Sequence, residues 1–256
     1  MPVIANDRAV SEAIGFILIL GLVLTGIGLV TLYGYPVLVK EQSSTDVKNM
    51  ERAMIVIQND MKSLCFKNVP YKESTLQVSG GTLEVIPGGE EGAKSEFVIS
   101  NSEGEVNSEF HPGALVYRSD RSTEVIALEN GAVITRQEGS AGSAMLAEPR
   151  WFYDGPTKTF VIYIMNVTAD ERMAKSGMAT VRMKRLATSP IPPIENPGTV
   201  KVMYNSPSDD HSVAWKNYLT SPMVGMRKAS SPLDTYEISD VDKLVIKEYT
   251  IEILSI

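Results

Sequence analysis

Cysteine is almost absent from this chain. Cys65 is the only one in 256 residues, so no disulfide can form within the molecule, and any domain it builds must be held by its core. Set between Leu64 and Phe66, Cys65 reads as a small buried apolar residue. Histidine is nearly as scarce. His111 and His211 stand far apart, and neither has a second histidine, a cysteine or a carboxylate set at zinc-binding spacing. Asp240 and Asp242 lack the spacing of a calcium loop, and Asp209 with Asp210 reads as a charge pair at a helix start. There is no Gly-x-Ser-x-Gly elbow, no phosphate-cradling glycine loop and no locally supported Cys–His pair. The expectation is a protein that is not an enzyme and holds neither cofactor nor metal. Lysine and arginine do not cluster, and the net charge is −7, which argues against the basic face of a nucleic-acid binder.

Charge is missing altogether from one long stretch. Residues 13–39, AIGFILILGLVLTGIGLVTLYGYPVLV, contain no charged side chain. A helix crossing a hydrocarbon layer of about 30 Å needs about 20 apolar residues. A cleavable secretory signal has an apolar region of only about 7–15 residues, so this run is too long for one, and no A-x-A site follows it. The run reads as a membrane-spanning helix, with lipid as its partner. Gly15, Gly21, Gly26, Gly28 and Gly34 punctuate it without forming a strict G-x-x-x-G, and small residues let helices approach closely in lipid. Pro36 has no N–H to offer the carbonyl of Leu32, which predicts a kink near Gly34-Tyr35. Tyr33 and Tyr35 suit an interfacial aromatic belt.

The residues ahead of the run add to this. Asp7-Arg8-Ala9-Val10-Ser11-Glu12-Ala13-Ile14-Gly15 resembles the start of archaeal type IV pilin-like precursors and is similar to their R-[AG]-V-S-P-V-I-G opening. The resemblance implies a leader over residues 1–9, cut by a prepilin peptidase between Ala9 and Val10, and a pilin helix over residues 10–39. Glu12 stands where proline is frequent in that group. It is the one charge in the packing region and the assembly candidate, placed to pair with the new α-amine of a neighbouring subunit's Val10. The match covers only the leader and the apolar run. The β-rich remainder resembles uncharacterised archaeal pilin-like membrane proteins.

From residue 40 the pattern changes. Val47, Met50, Met54, Ile57, Met61 and Leu64 recur alternately three and four residues apart, Ile55 and Val56 widen the stripe, and polar residues fill the other faces. This is the seam of an amphipathic stalk helix over residues 40–68. It suits packing either on the chain's own β domain or between subunits.

Beyond Asn68-Val69-Pro70 the period becomes two. Residues 75–78 and 82–86 read as a hairpin around Ser79-Gly80-Gly81. Residues 124–128 and 132–135 read as a hairpin around Glu129-Asn130-Gly131, whose Asn-Gly pair suits a tight turn, and residues 150–153 and 159–164 as one around Asp154-Gly155-Pro156. Further strands are expected at 96–99, 114–118, 179–186, 199–204 and 243–254. A short helix is expected over 208–219, with Ser208 as N-cap and Asp209 and Asp210 in its first turn. Residues 221–236 show little periodicity. Asn166-Val167-Thr168 is the only glycosylation sequon, and glycan on Asn166 would place the domain outside the cell.

The predicted fold class is α+β, mainly β: a long N-terminal transmembrane and stalk helix followed by an antiparallel β-sandwich-like domain over residues 69–256. The expected function is that of a non-enzymatic, single-pass membrane or pilus-like surface protein. Its helix anchors or assembles it, and its β-rich domain is displayed outside the cell. The alternative is an uncleaved, membrane-anchored binding module for an extracellular ligand or protein.

Overall fold

The computed structural model describes residues 7–67, 69–89, 95–188, 190–206, 210–231 and 234–256. The chain divides into two compact units, Met1–Thr45 and Asp46–Ile256.

The first unit is helical. It holds α1 (Asp7–Leu29), a π-helical turn (Val30–Gly34) and the start of α2 (Tyr35–Phe66), which continues into the second unit. The Tyr35 amide reaches back five residues to the carbonyl of Val30. This wide turn lies where Pro36 withholds an amide hydrogen from the carbonyl of Leu32, so the irregularity predicted at Gly34-Tyr35 takes the form of a π-turn. Thr25 and Thr31 fold their hydroxyls back onto the carbonyls of Gly21 and Ile27, at 2.7 and 2.9 Å. These two hydroxyls are thereby satisfied within an otherwise apolar stretch.

The second unit is built on the amphipathic half of α2. Met50, Met54, Met61 and Leu64 are fully buried, with Ile57 and Val47 nearly so. The three-and-four spacing therefore resolves as packing on the chain's own sheet. One polar residue sits within that buried face. Gln58 donates Nε2 to the carbonyls of Gly131, at 2.7 Å, and Glu148, at 3.1 Å, and Lys62 Nζ joins it on Glu148 O at 2.9 Å. These bonds satisfy the buried amide and fix the helix in register against two turns of the sheet.

The strands are β1 (Tyr71–Ile86), β2 (Glu96–Asn101), β3 (Gly104–Phe110), β4 (Ala114–Ser119), β5 (Glu124–Glu129), β6 (Ala132–Gln137), β7 (Ser143–Ala147), β8 (Phe152–Asp154), β9 (Thr159–Thr168), β10 (Met173–Leu186) and β11 (Ile194–Asn205). The short helix α3 (Ser212–Leu219) precedes β12 (Arg227–Lys228) and β13 (Thr235–Ser255). They form one 13-stranded sheet whose main path runs β3-β2-β11-β13-β10-β1-β4-β5-β6-β7. Neighbours pair antiparallel, with the exception of β9 and β13, which run parallel from Thr159–Lys243 to Thr168–Glu252. The fold class is thus the predicted one: a long N-terminal helix and a mainly antiparallel β domain.

Two large cores lie on opposite faces of the shared strands. On β13, Ile251 and Ile253 join the core beneath α2, while Leu244 and Ile246 join the core beneath α3. The even and odd positions are what a period of two directs to opposite faces. On β6 the adjacent residues Val133 and Ile134 divide the same way.

Three local expectations meet the structure differently. The Asn130-Gly131 hairpin is present between β5 and β6. Both residues have positive φ, 44° and 76°, as a type I′ turn requires. The hairpin expected at Ser79-Gly80-Gly81 is absent. Residues 71–86 form one strand that pairs with β10 on both sides of an irregularity between Val78 and Leu83. The glycines serve close packing there. Gly80 has φ +61°, and a Cβ on it would come within 2.7 Å of Asp46 Oδ2, while one on Gly81 would meet the Arg118 carbonyl at 2.2 Å. The helix expected from Ser208 begins at Ser212 instead, with His211 in the N-cap position. Asp210 Oδ1 accepts the Ser212 amide at 3.0 Å, so the acidic residue still serves the helix start. Ser208 and Asp209 lie outside the described residues.

Candidate functional site

Two features of the chain call for a functional account. The first is the apolar helical surface of the first unit. Phe16, Leu22, Val30, Leu32 and Leu38 are 66 to 77% exposed. The most apolar window has a mean hydropathy of 2.5, and none of it is buried. Among the described residues, one helix is long and apolar enough to cross a membrane. In water, apolar surface on every face is unfavourable at about 25 cal/mol per Å², whereas Leu, Ile, Phe and Val each favour the bilayer centre by about 0.3–0.6 kcal/mol. A Cβ added to Gly15, Gly21, Gly26 or Gly28 would meet nothing within 4 Å, so contacts within the chain do not require these glycines. Ala9, Val10 and Glu12 lie on α1, with side chains outside the described residues.

The second feature is a buried carboxylate. Glu129 ends β5, beside the type I′ turn, and is 3% exposed. Trp215 Nε1 donates to its Oε1 at 2.9 Å, as does the Tyr204 hydroxyl at 3.2 Å, and Ser95 Oγ donates to its Oε2. His211 Nδ1 stands 3.4 Å from Oε1, and the imidazole is 2% exposed. Burial alone pushes the Glu129 carboxyl up. The facing His211, with the Ser95 and Trp215 donors, outweighs burial and holds it below the ordinary carboxylate range. Tyr204 is driven the other way, its hydroxyl raised well above the usual value by burial and by the Glu129 charge. The aromatic partners are themselves interlocked, with the ring centroids of Phe97 and Trp215 4.8 Å apart and edge-on. Glu129 therefore ties together β5, the start of β2, β11 and α3. The arrangement stabilises a charge inside the protein. It is not a nucleophilic constellation, because the serine donates to the carboxylate instead of being activated by a histidine. A cavity of about 10 Å³, lined by Ser95, Pro112, Glu129 and His211 among others, is about the size of one water.

Sequence reading assigned His211 no role beyond its isolation, and Glu129 only a place in the Glu129-Asn130-Gly131 turn. The available signal was one charged residue within the otherwise uncharged VIALENGAVI. His111 is a half-buried turn residue whose carbonyl accepts the Gly89 amide at 3.2 Å. Asn166 sits half-buried within β9, and its Oδ1 accepts the Gly113 amide at 3.3 Å. Cys65 is buried, and burial pushes its thiol up to about 12 against the opposing charge of Arg185, which leaves it without thiolate character at neutral pH. Among the described residues no three of His, Cys, Asp and Glu are grouped to hold a metal ion.

No curated protein and no solved structure matches the chain. One family model does, over residues 8–253, a span that takes in the apolar helix and nearly all of the β domain. The chain therefore belongs to the family of unknown function DUF7289.

Proposed function

We propose that this protein is a non-enzymatic, single-pass membrane protein that displays its β domain on the outer surface of the cell. The observation that carries the reading is the helix whose apolar residues are exposed on all faces. A bilayer accounts for such a surface directly, and an all-helical segment leaves no backbone group unpaired in lipid. The span of the family match supports treating helix and β domain as one working unit. The pilin-like opening at Arg8-Ala9-Val10-Ser11 adds a route. A prepilin peptidase cuts between Ala9 and Val10, and the freed helix either stays in the membrane or packs with others in a surface filament. Glu12 then faces the new α-amine of a neighbour.

Two measurements test the reading. Membrane-impermeant lysine labelling of intact cells is expected to modify the β domain. Labelling only after lysis would contradict outward display. N-terminal sequencing of the membrane-extracted protein is expected to begin at Val10. A chain that retains residues 1–9 would favour the plain anchored module over the pilin route.

A further inference from the structure

The sheet has a gap along one edge of β13. β11 leaves that edge at the Ile194–Leu244 pair, and β10 takes it up at Leu186–Thr250. β9 occupies the opposite edge across Lys243–Glu252, overlapping both, so β10 and β11 share one edge. Residues 245–249 therefore have a strand on one side only. The described residues of the connection, 187–188 and 190–193, add no strand to the gap. Pro190, Pro192 and Pro193 have no amide hydrogen to give a ladder. Among the described residues, one bond crosses, from Thr188 Oγ1 to the Glu248 carbonyl at 3.0 Å. A strand residue sends its N–H and C=O out along the same edge, so the amides of Glu248 and, two residues back, Ile246 face the gap.

The space left is a cavity of about 340 Å³ whose lining includes Arg185, Thr188, Ile191, Lys247, Glu248 and Tyr249. That is within the size range of small-ligand sites. The chain is acidic overall, yet cations gather here. Lys247 is exposed and has no carboxylate partner among the described residues. Arg185 lines the cavity while donating to the carbonyl of Cys65 at 3.4 Å. Behind the wall, Tyr249 stacks parallel to Tyr163 at 6.3 Å and meets Phe66 edge-on at 5.6 Å. Arg150 lies over Phe66 at 4.9 Å and over Tyr163 at 5.1 Å. These contacts hold the Tyr249 ring rigid and bring a further positive charge close to it. Among the described residues lining the cavity there is one carboxylate. It belongs to Glu248, whose side chain alternates to the face away from Lys247 and Tyr249.

We propose that this gap binds a small organic oxyanion, a carboxylate or phosphate on a body of sugar size. Lys247, Arg185 and the edge amides of Ile246 and Glu248 take the anion, and Ile191 and Tyr249 take the body. The assignment is independent of how the helix is seated. Isothermal titration calorimetry on the full chain in detergent micelles tests it, with glucose 6-phosphate and glucuronate as probes against glucose and inorganic phosphate. At least one of the two sugar anions is expected to bind saturably at about millimolar Kd or tighter, with an affinity about tenfold above that of inorganic phosphate, and glucose is expected not to bind. Lys247→Gln is expected to weaken binding about tenfold, with an unchanged thermal transition because Lys247 is exposed. Absence of saturable binding by both sugar anions overturns the proposal, as does affinity unchanged in Lys247→Gln. Equal affinity for inorganic phosphate and the sugar anions overturns the organic ligand.

Discussion

Glu129 gathers partners from separate parts of the chain around one buried carboxylate. Its two oxygens accept from Trp215, Tyr204 and Ser95, and it faces His211, all of them buried. Glu129→Gln removes the charge and leaves donors and the imidazole without their anion. Breaking a buried pair from one side is expected to cost about 3 kcal/mol, read as a lower guanidinium midpoint by tryptophan fluorescence. The same residue sets a pH dependence. Its folded carboxyl lies below the ordinary range, so its contribution is present above the unfolded pKa of about 4.3 and is lost as pH falls through the folded value. Wild-type stability is expected to decline as pH drops below about 4, and Glu129→Gln is expected to decline less over that window. None of this was legible from spacing. The partners come from β2, β11 and α3, and only the folded sheet brings them to the end of β5.

At the scale of elements, α2 shows what periodicity reveals. The seam from Val47 to Leu64 names the buried face correctly because a period of 3.6 maps directly onto a helix surface. Met54 is fully buried, whereas Val56, which the sequence placed in the stripe, is 55% exposed because it lies two residues on and so turns away from that face. Met54→Ala is expected to cost about 2–5 kcal/mol through the cavity it leaves, and Val56→Ala to stay within about 0.5 kcal/mol, both by chemical denaturation. A reversed order would mean that the helix packs by another face. The strands were less readable. Alternation shows which residues point inward but not which strand lies alongside, so the parallel β9–β13 pair and the gap beside it had no sequence signature. Ser79-Gly80-Gly81 was misread because a glycine pair suits a turn and a close-packed bulge equally. Asn130-Gly131 was read correctly because two successive positive φ values leave few alternatives.

At the scale of the whole molecule, the composition joins two demands. The unit Asp46–Ile256 buries its apolar residues in cores on both faces of a sheet. The helix over Ile14 to Leu38 does the opposite and exposes apolar residues on all faces. That contrast was legible in the sequence, because residues 13–39 lack charge and the rest of the chain does not. It makes membrane anchoring the central claim, and flotation of carbonate-washed membranes tests it most directly. Alkaline carbonate strips proteins held by charge or by a partner and leaves spanning helices in the lipid. The full-length protein is expected to float with the vesicles in a density gradient after the wash. Recovery in the dense, lipid-free fractions would contradict the account.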